Sequence, residues 1–158
     1  MGLRASIWLL PLVVGLASCD RGQAPTPNGL DLPAIDLGVD SVLDQRATSD
    51  AEFQAAFDRR DTNLQVLARG TVSRLLADDT TGDRHQRFIL RLGSGQTLLV
   101  AHNIDISTRV AGLTVGKIAY AYGEYEWNSE GGVVHWTHRD PDGNHLPGWI
   151  QYMGAIYQ

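Results

Sequence analysis

The chain has a single cysteine, Cys19, in 158 residues. One thiol rules out an internal disulfide framework, so stability has to come from a buried apolar core. No apolar run approaches the roughly 20 residues that a membrane-spanning helix requires. The best candidate, Ile7 to Leu16 (IWLLPLVVGL), is too short and is interrupted by Pro11. Basic residues are also scarce: 13 Lys and Arg stand against 18 Asp and Glu, a formal charge of −5. Phosphate backbones are recognised largely through basic footprints, so nucleic acid is set aside as a partner. There is no internal repeat and no sign of a second domain. Ser94 and Ser129 lie in glycine-flanked loops, but neither sits in the strand–turn–helix elbow that activates a nucleophilic serine.

What is present begins with an address. Arg4 and the apolar stretch after it have the form of a signal peptide over residues 1–18. It ends in Leu16-Ala17-Ser18-Cys19, which resembles a bacterial lipobox. In such signals the thiol takes diacylglycerol, the chain is cut before the cysteine, and the new amine is acylated with a palmitate-type chain. Each buried methylene contributes roughly 0.8 kcal/mol, and more than one acyl chain makes the anchor stable. Cleavage removes Arg4 and no acid, leaving 12 basic and 18 acidic residues and a charge of −6. Asp20 resembles the inner-membrane retention signal of enterobacterial lipoproteins. The expected product is a lipoprotein anchored in the cell membrane and facing the periplasm. Residues 19–47 read as the lipidated cysteine and a flexible stalk; from Arg21 to Val39 there are three prolines and three glycines. Packing of Leu30, Leu32 and Ile35 on the domain is the alternative for that stretch.

Residues 48–158 read as one globular domain, large enough to bury roughly two thirds of its unfolded surface. Ser49-Asp50-Ala51-Glu52 is a capping box, so a helix should start after Ser49 and end near Arg60, with Phe53, Ala56 and Phe57 on one face. From Asn63 on the pattern is β. Gly70 interrupts the first long strand and suggests a bulge or bend there. Phe88, Leu90 and Leu92 alternate with Arg87, Ile89 and Arg91, and Thr97 to His102 follows as a central strand. Asn103 to Leu113 is a short helix or an irregular crossover. Ile118 to Trp127 is a long strand with Ala119, Ala121 and Gly123 on one side, and NSEGG turns it into Val133 to His138. That order predicts a mainly β fold: a five-stranded OB-like barrel with a short N-terminal helix and a C-terminal extension. A small antiparallel sandwich is the alternative.

Chemistry concentrates in Gly131 to Ile150 (GGVVHWTHRDPDGNHLPGWI), which holds three of five histidines and two of four tryptophans. Asp140-Pro141-Asp142-Gly143 fits a type I turn with a following bulge, which would bring His138 and His145 together. With Asp140, and with His102 arriving from the central strand, these form a candidate set for a zinc-type ion. His135 does not suit the same ion, because positions 135 and 138 of a continuous strand point to opposite faces. Trp136 shares a face with Val134, which suggests core, and Trp149 could also be core. Trp127, beside a loop, is the best exposed stacking platform. Asn103, Trp127, His135 and Trp136 are therefore the candidate ligand-binding residues. Glu124 and Glu126 share a strand face and could act as a carboxylate pair, or form a solvated edge.

Four stretches together resemble the bacterial family called domain of unknown function 3465: DDTTGDRHQRFIL, GQTLLVAHNID, GEYEWNSEGGVVHWTHRDPDGNH and GWIQYMGAIYQ. The resemblance runs from about Asn63 to Gln158 and leaves the stalk and helix outside it. It implies a polar signature at Asp78, Asp79, His85, His102, Asn103, Asp105, His135, His138, Asp140 and His145, and it brings no activity with it. The expected function is a membrane-tethered, non-catalytic binding module for a small molecule, a glycan or an envelope protein. The alternative is a metal-dependent hydrolase, with His102, His138, His145 and Asp140 around a zinc-type ion and Glu124 or Asp105 as general base. Mass spectrometry of the mature protein should find Cys19 at the amino terminus carrying acyl chains, and Cys19→Ser should abolish both processing and acylation. An intact, unmodified terminus on the wild-type chain would contradict the lipoprotein reading.

Overall fold

The structure, a computed structural model, describes residues 39–158. The signal segment, Cys19, Asp20 and the stalk up to residue 38 lie outside the described residues. The first element, α1 (Val39–Arg46), carries Asp40 in its first turn and Arg46 in its last, each opposing the helix dipole. It occupies the end of the stretch read as flexible stalk, so that reading is corrected for these residues. Tyr120 donates its hydroxyl to Asp44 at 2.6 Å, Arg69 pairs with the same carboxylate, and Gln151 donates to Asp40 at 2.8 Å. These partners lie far along the chain, where local pattern gives no hint of them. Burial and the Asp44 carboxylate push the Tyr120 phenol up to about 12.

The second helix, α2 (Asp50–Arg59), starts where the capping box predicts: Ser49 N–H donates to Glu52 Oε2 at 2.8 Å, and Glu52 N–H donates to Ser49 Oγ at 3.3 Å. Arg60 ends it in the left-handed region, at φ 57°. Phe53 and Ala56 are buried in the core, where the Phe53 ring meets Tyr125 edge-on at 6.0 Å.

Five strands follow: β1 (Leu64–Leu75), β2 (His85–Arg91), β3 (Thr97–Asn103), β4 (Ile118–Glu126) and β5 (Val133–His135). They pair in the order β1-β2-β3-β5-β4, and β4 returns to β1, so the sheet closes. Only β3 and β5 run parallel. The predicted OB-like barrel is what forms, with two helices ahead of it among the described residues rather than one. β1 serves two neighbours: residues 64–71 pair with β4, and residues from Thr71 on pair with β2. The bulge falls between Val72 and Arg74, not at Gly70. Gly70 stays in register with Ala119; its role is close approach, since a Cβ there would lie 2.9 Å from the Arg91 carbonyl oxygen. Phe88, Leu90 and Leu92 point inward as predicted and meet Leu98, Val100 and Val134.

The crossover between β3 and β4 is irregular rather than helical. Side chains fix its backbone: Gln86 donates to the Val110 carbonyl at 3.1 Å and accepts from Val110 N–H at 2.8 Å. Buried backbone groups outside a ladder need such partners.

β4 gives one edge to β1 and divides the other. Glu124–Glu126 pair with β5, while Ala119–Tyr122 pair with β6 (Trp149–Tyr152). A last strand, β7 (Ala155–Tyr157), completes a hairpin with β6, and together they are the C-terminal extension. The chain therefore leaves the β4 edge after His135 and rejoins it at Trp149. Two contacts pin this excursion at its base. Gly148 N–H donates to the His138 carbonyl at 2.8 Å, and a Cβ at Gly148 would lie 2.6 Å from the Tyr122 carbonyl oxygen. A Cβ at Gly123 would overlap the His135 carbonyl oxygen and lie 2.9 Å from Thr137 Cγ2. Backbone cannot swing aside as a side chain can, so Gly123→Ala should cost about 1–3 kcal/mol of stability in urea denaturation, the usual range for overpacking. An unchanged midpoint would contradict this packing.

Candidate functional site

The excursion over residues 136–148 begins with a backbone break. Trp136 has φ 51°, a left-handed conformation unfavourable to a large side chain. β5 therefore ends at His135, and the backbone is not a continuous strand from His135 to His138. Within the excursion, the Asp140-Pro141-Asp142-Gly143 turn forms as predicted: Gly143 N–H donates to the Asp140 carbonyl at 3.3 Å, and Gly143 takes φ 71°. The Asp140 carboxylate accepts from the backbone N–H of Asp142 at 2.9 Å, of Asn144, and of His145 at 2.8 Å. These bonds, that from Asp142 first, hold its carboxyl below the usual range.

The break turns His135 and His138 toward a common cleft of about 450 Å³. His85, Asn103, His135, Trp136 and His138 line it, with Ile106 below and the acids Asp83, Asp140 and Asp142 around it. Three of the predicted ligand-binding residues, Asn103, His135 and Trp136, thus meet here. Asn103 is buried and fixed at both ends: its Oδ1 accepts from Asp105 N–H at 2.9 Å, and its Nδ2 donates to Asp83 at 3.3 Å. Trp136 is half-buried rather than core, because the break takes it out of the strand that carries Val134. One face of its indole stacks on His145 at 3.7 Å and 16°.

Beside the cleft stands the carboxylate pair. Glu124 and Glu126 lie two apart on β4, and His135 is directly opposite Glu124 on β5. One ligand-type atom from each of the three lies within 4.8 Å of the others. His135 Nε2 is 3.7 Å from Glu124 Oε1, and His145 Nδ1 is 3.6 Å from Glu124 Oε2. With its amide nitrogen turned toward the acids, Asn63 donates to Glu126 at 3.0 Å and to Glu124 at 3.2 Å. Burial lowers the His135 pKa, against the pull of both carboxylates, and favours its neutral form.

The predicted ion set of His102, His138, His145 and Asp140 is not brought together; among the described residues, Glu124, Glu126 and His135 form the cluster that could hold an ion. Each of the four is otherwise engaged. His102 is fully buried, with Nε2 near the Thr108 carbonyl at 3.0 Å and Nδ1 near Thr137 Oγ1 at 2.9 Å. A carbonyl only accepts, so Nε2 carries the proton and Nδ1 accepts from the threonine hydroxyl. His138 Nδ1 donates to the Arg139 carbonyl at 2.8 Å. His145 is stacked on Trp136, and the Asp140 oxygens are taken by the turn. Asp105, a candidate base, accepts from Arg84 N–H and Nε, both at 2.7 Å, and these bonds pull its pKa down, away from the range of a general base near neutral pH. Trp127 is not a free platform. It packs against the core with Phe57 at 6.2 Å on its ring, and Arg60 lies 5.1 Å over it. Reading by sequence passed over Asn63, Asp83 and Ile106; none carries a local signal, because each reaches the site through strand register or loop return. Trp149 is half-buried and pairs with Tyr122 at 5.6 Å.

A second groove, of about 360 Å³, lies on the outer side of β1–β3 and holds Arg74 and Arg91. None of the predicted site residues lines it.

These features define a small OB-like barrel whose polar side chains converge on an excursion from β4. A family described as "Protein of unknown function (DUF3465)" matches residues 38–158, and the chain belongs to that family. The match takes in both helices, which corrects the narrower span starting at Asn63. A search of curated proteins finds no match.

Burial is the main cause lowering the pKa of His102 from its ordinary 6.5. The unfolded chain therefore binds this proton at a higher pH than the native one, and stability should fall as pH drops below about 6.5, at up to about 1.4 kcal/mol per pH unit for one proton. Urea denaturation from pH 7.5 to 5.5 checks this. His102→Gln should cost about 1–3 kcal/mol at pH 7.5 and flatten the slope; an unchanged slope would contradict the assignment.

Proposed function

We propose that this protein is a lipid-anchored component of the cell envelope, tethered through Cys19, whose barrel is a non-catalytic binding module for a neutral glycan or polyol. Anchor and address rest on the signal segment and lipobox. Among the described residues no helix is long and apolar enough to cross a membrane. The observation that carries the binding reading is the meeting of Asn103, His135 and Trp136, with His85 and His138, in one cleft of about 450 Å³, a volume within the usual range for small-ligand sites.

The chemistry of the lining selects the ligand class. Imidazole and amide groups stand among three carboxylates, and no Lys or Arg among the described residues lines the cleft. That disfavours an anion. Sugar hydroxyls both donate and accept, so they can satisfy carboxylates and imidazoles together, while Trp136 and Ile106 offer apolar surface to the ring carbons. The hydrolase alternative has weaker support, because its four ligands are engaged elsewhere and Asp105 is ion-paired.

Hydrogen exchange of the full chain with a panel of neutral and acidic saccharides tests this. A neutral sugar should protect residues 135–145, and Trp136→Ala should weaken its binding by about tenfold, the scale of one aromatic contact. Protection confined to β2 and β3 by acidic sugars alone would move the site to the Arg74/Arg91 groove and overturn the proposal. Turnover of a saccharide would overturn its non-catalytic part.

A further inference from the structure

We propose that Glu124, Glu126 and His135 bind one divalent transition-metal ion of the zinc class, on the face of β4 and β5 turned away from the core. The three side chains come from the most firmly paired part of the site. Glu124 and Glu126 follow one another on one face of β4, and the register sets His135 across from Glu124. The Gly123 backbone lies too close to the His135 carbonyl to admit a Cβ, so the two strands are held at a fixed spacing.

The separations are those of atoms sharing an ion rather than a proton. His135 Nε2 and Glu124 Oε1 are 3.7 Å apart, beyond hydrogen-bond reach. Ligands at about 2.0–2.2 Å from a tetrahedral zinc lie about 3.3 Å from one another. The three atoms, all within 4.8 Å, would be drawn together by at most about 1.5 Å. His145 touches the cluster only through Glu124 Oε2, at 3.6 Å, and its stacking on Trp136 fixes its plane; it would orient the ligating carboxylate rather than hold the ion.

Two further observations call for a cation. No Lys or Arg among the described residues forms an ion pair with Glu124 or Glu126, although the Glu124 side chain is only 18% exposed. Two neighbouring carboxylates with no permanently charged partner, bridged by the neutral Asn63 amide and beside histidines that carry charge only when protonated, repel each other. His135 Nε2 is buried and has no hydrogen-bond partner, so with the ring proton on Nδ1 its lone pair is free for coordination. One nitrogen and two carboxylates suit zinc or a neighbouring divalent transition ion. They do not suit copper(I), which favours sulfur, or calcium, which takes six to eight oxygens. Three protein ligands leave a coordination position open. The inference does not depend on the glycan reading, since neither glutamate lines the cleft.

Calorimetric titration of the full chain with zinc chloride, without saccharide, tests it. One ion per chain is expected, with affinity at least about tenfold weaker in Glu126→Gln and in His135→Gln and unchanged in Glu130→Gln, an exposed acid of the outer groove. Glu126→Gln keeps size and shape, and circular dichroism verifies its fold, so it decides the matter even if Glu124→Gln fails to fold. Absence of saturable binding would overturn the proposal. So would equal affinity in wild type and Glu126→Gln, or a loss seen only in Glu130→Gln.

Discussion

One edge of β4 is shared by two segments that cannot both follow it continuously. β5 occupies Glu124–Glu126 and β6 occupies Ala119–Tyr122. The chain between them has to leave the sheet and come back within a few ångströms of its departure point. The departure is the left-handed turn at Trp136, and the return is Gly148, whose missing side chain lets it pass against the Tyr122 carbonyl. A β-strand presents alternate residues to opposite faces, and without this break His135 and His138 could not address one cleft. The left-handed conformation of a tryptophan carries strain that the surrounding packing must offset. Here the stack on His145 and the close Gly123–His135 contact hold it in place.

The buried network around His102 ties that excursion to the rest of the barrel. Thr137, just after the break, hydrogen-bonds one imidazole nitrogen; the Thr108 carbonyl of the β3–β4 crossover takes the other. Two irregular segments, neither supported by a ladder, are thus joined through one neutral side chain. Asn103 does similar work at the end of β3, linking Asp83 and Asp105. Asn103 lines the cleft, so at that point its wall is a fixed polar group and not a mobile surface chain, which is the preorganisation the proposed binding site requires.

Much of this fold is legible in the chain itself. The capping box at Ser49, the alternation at Phe88–Leu92, the NSEGG turn and the Asp-Pro-Asp-Gly turn are local signals, and each appears as read. The site is legible only in part. The small side of β4 announced a close approach, and Glu124 and Glu126 were visible as a pair. What could not be read is which strands would share an edge, since pairing between β4 and both β5 and β6 is a long-range choice. For that reason His135 reads as the least convenient histidine and yet lies at the junction of cleft and carboxylates, while His102 reads as a ligand and is a satisfied core residue. Trp127 misled for a similar reason: its loop position suggests exposure, but α2 brings Phe57 and Arg60 onto it. The helix α1 is silent in sequence because Tyr120, Arg69 and Gln151, which hold it, arrive from the barrel.

The strand break at Trp136 opens the cleft proposed to take an uncharged, hydroxyl-rich ligand, while the β4–β5 register sets His135 beside two carboxylates that pair with no Lys or Arg among the described residues. The most direct measurement is a crystal structure of the full chain grown with zinc, read by anomalous scattering. The account predicts one peak bounded by Glu124, Glu126 and His135, with Trp136 in the left-handed region. A peak among His102, His138, His145 and Asp140, or a β5 strand running unbroken through Trp136, would contradict it.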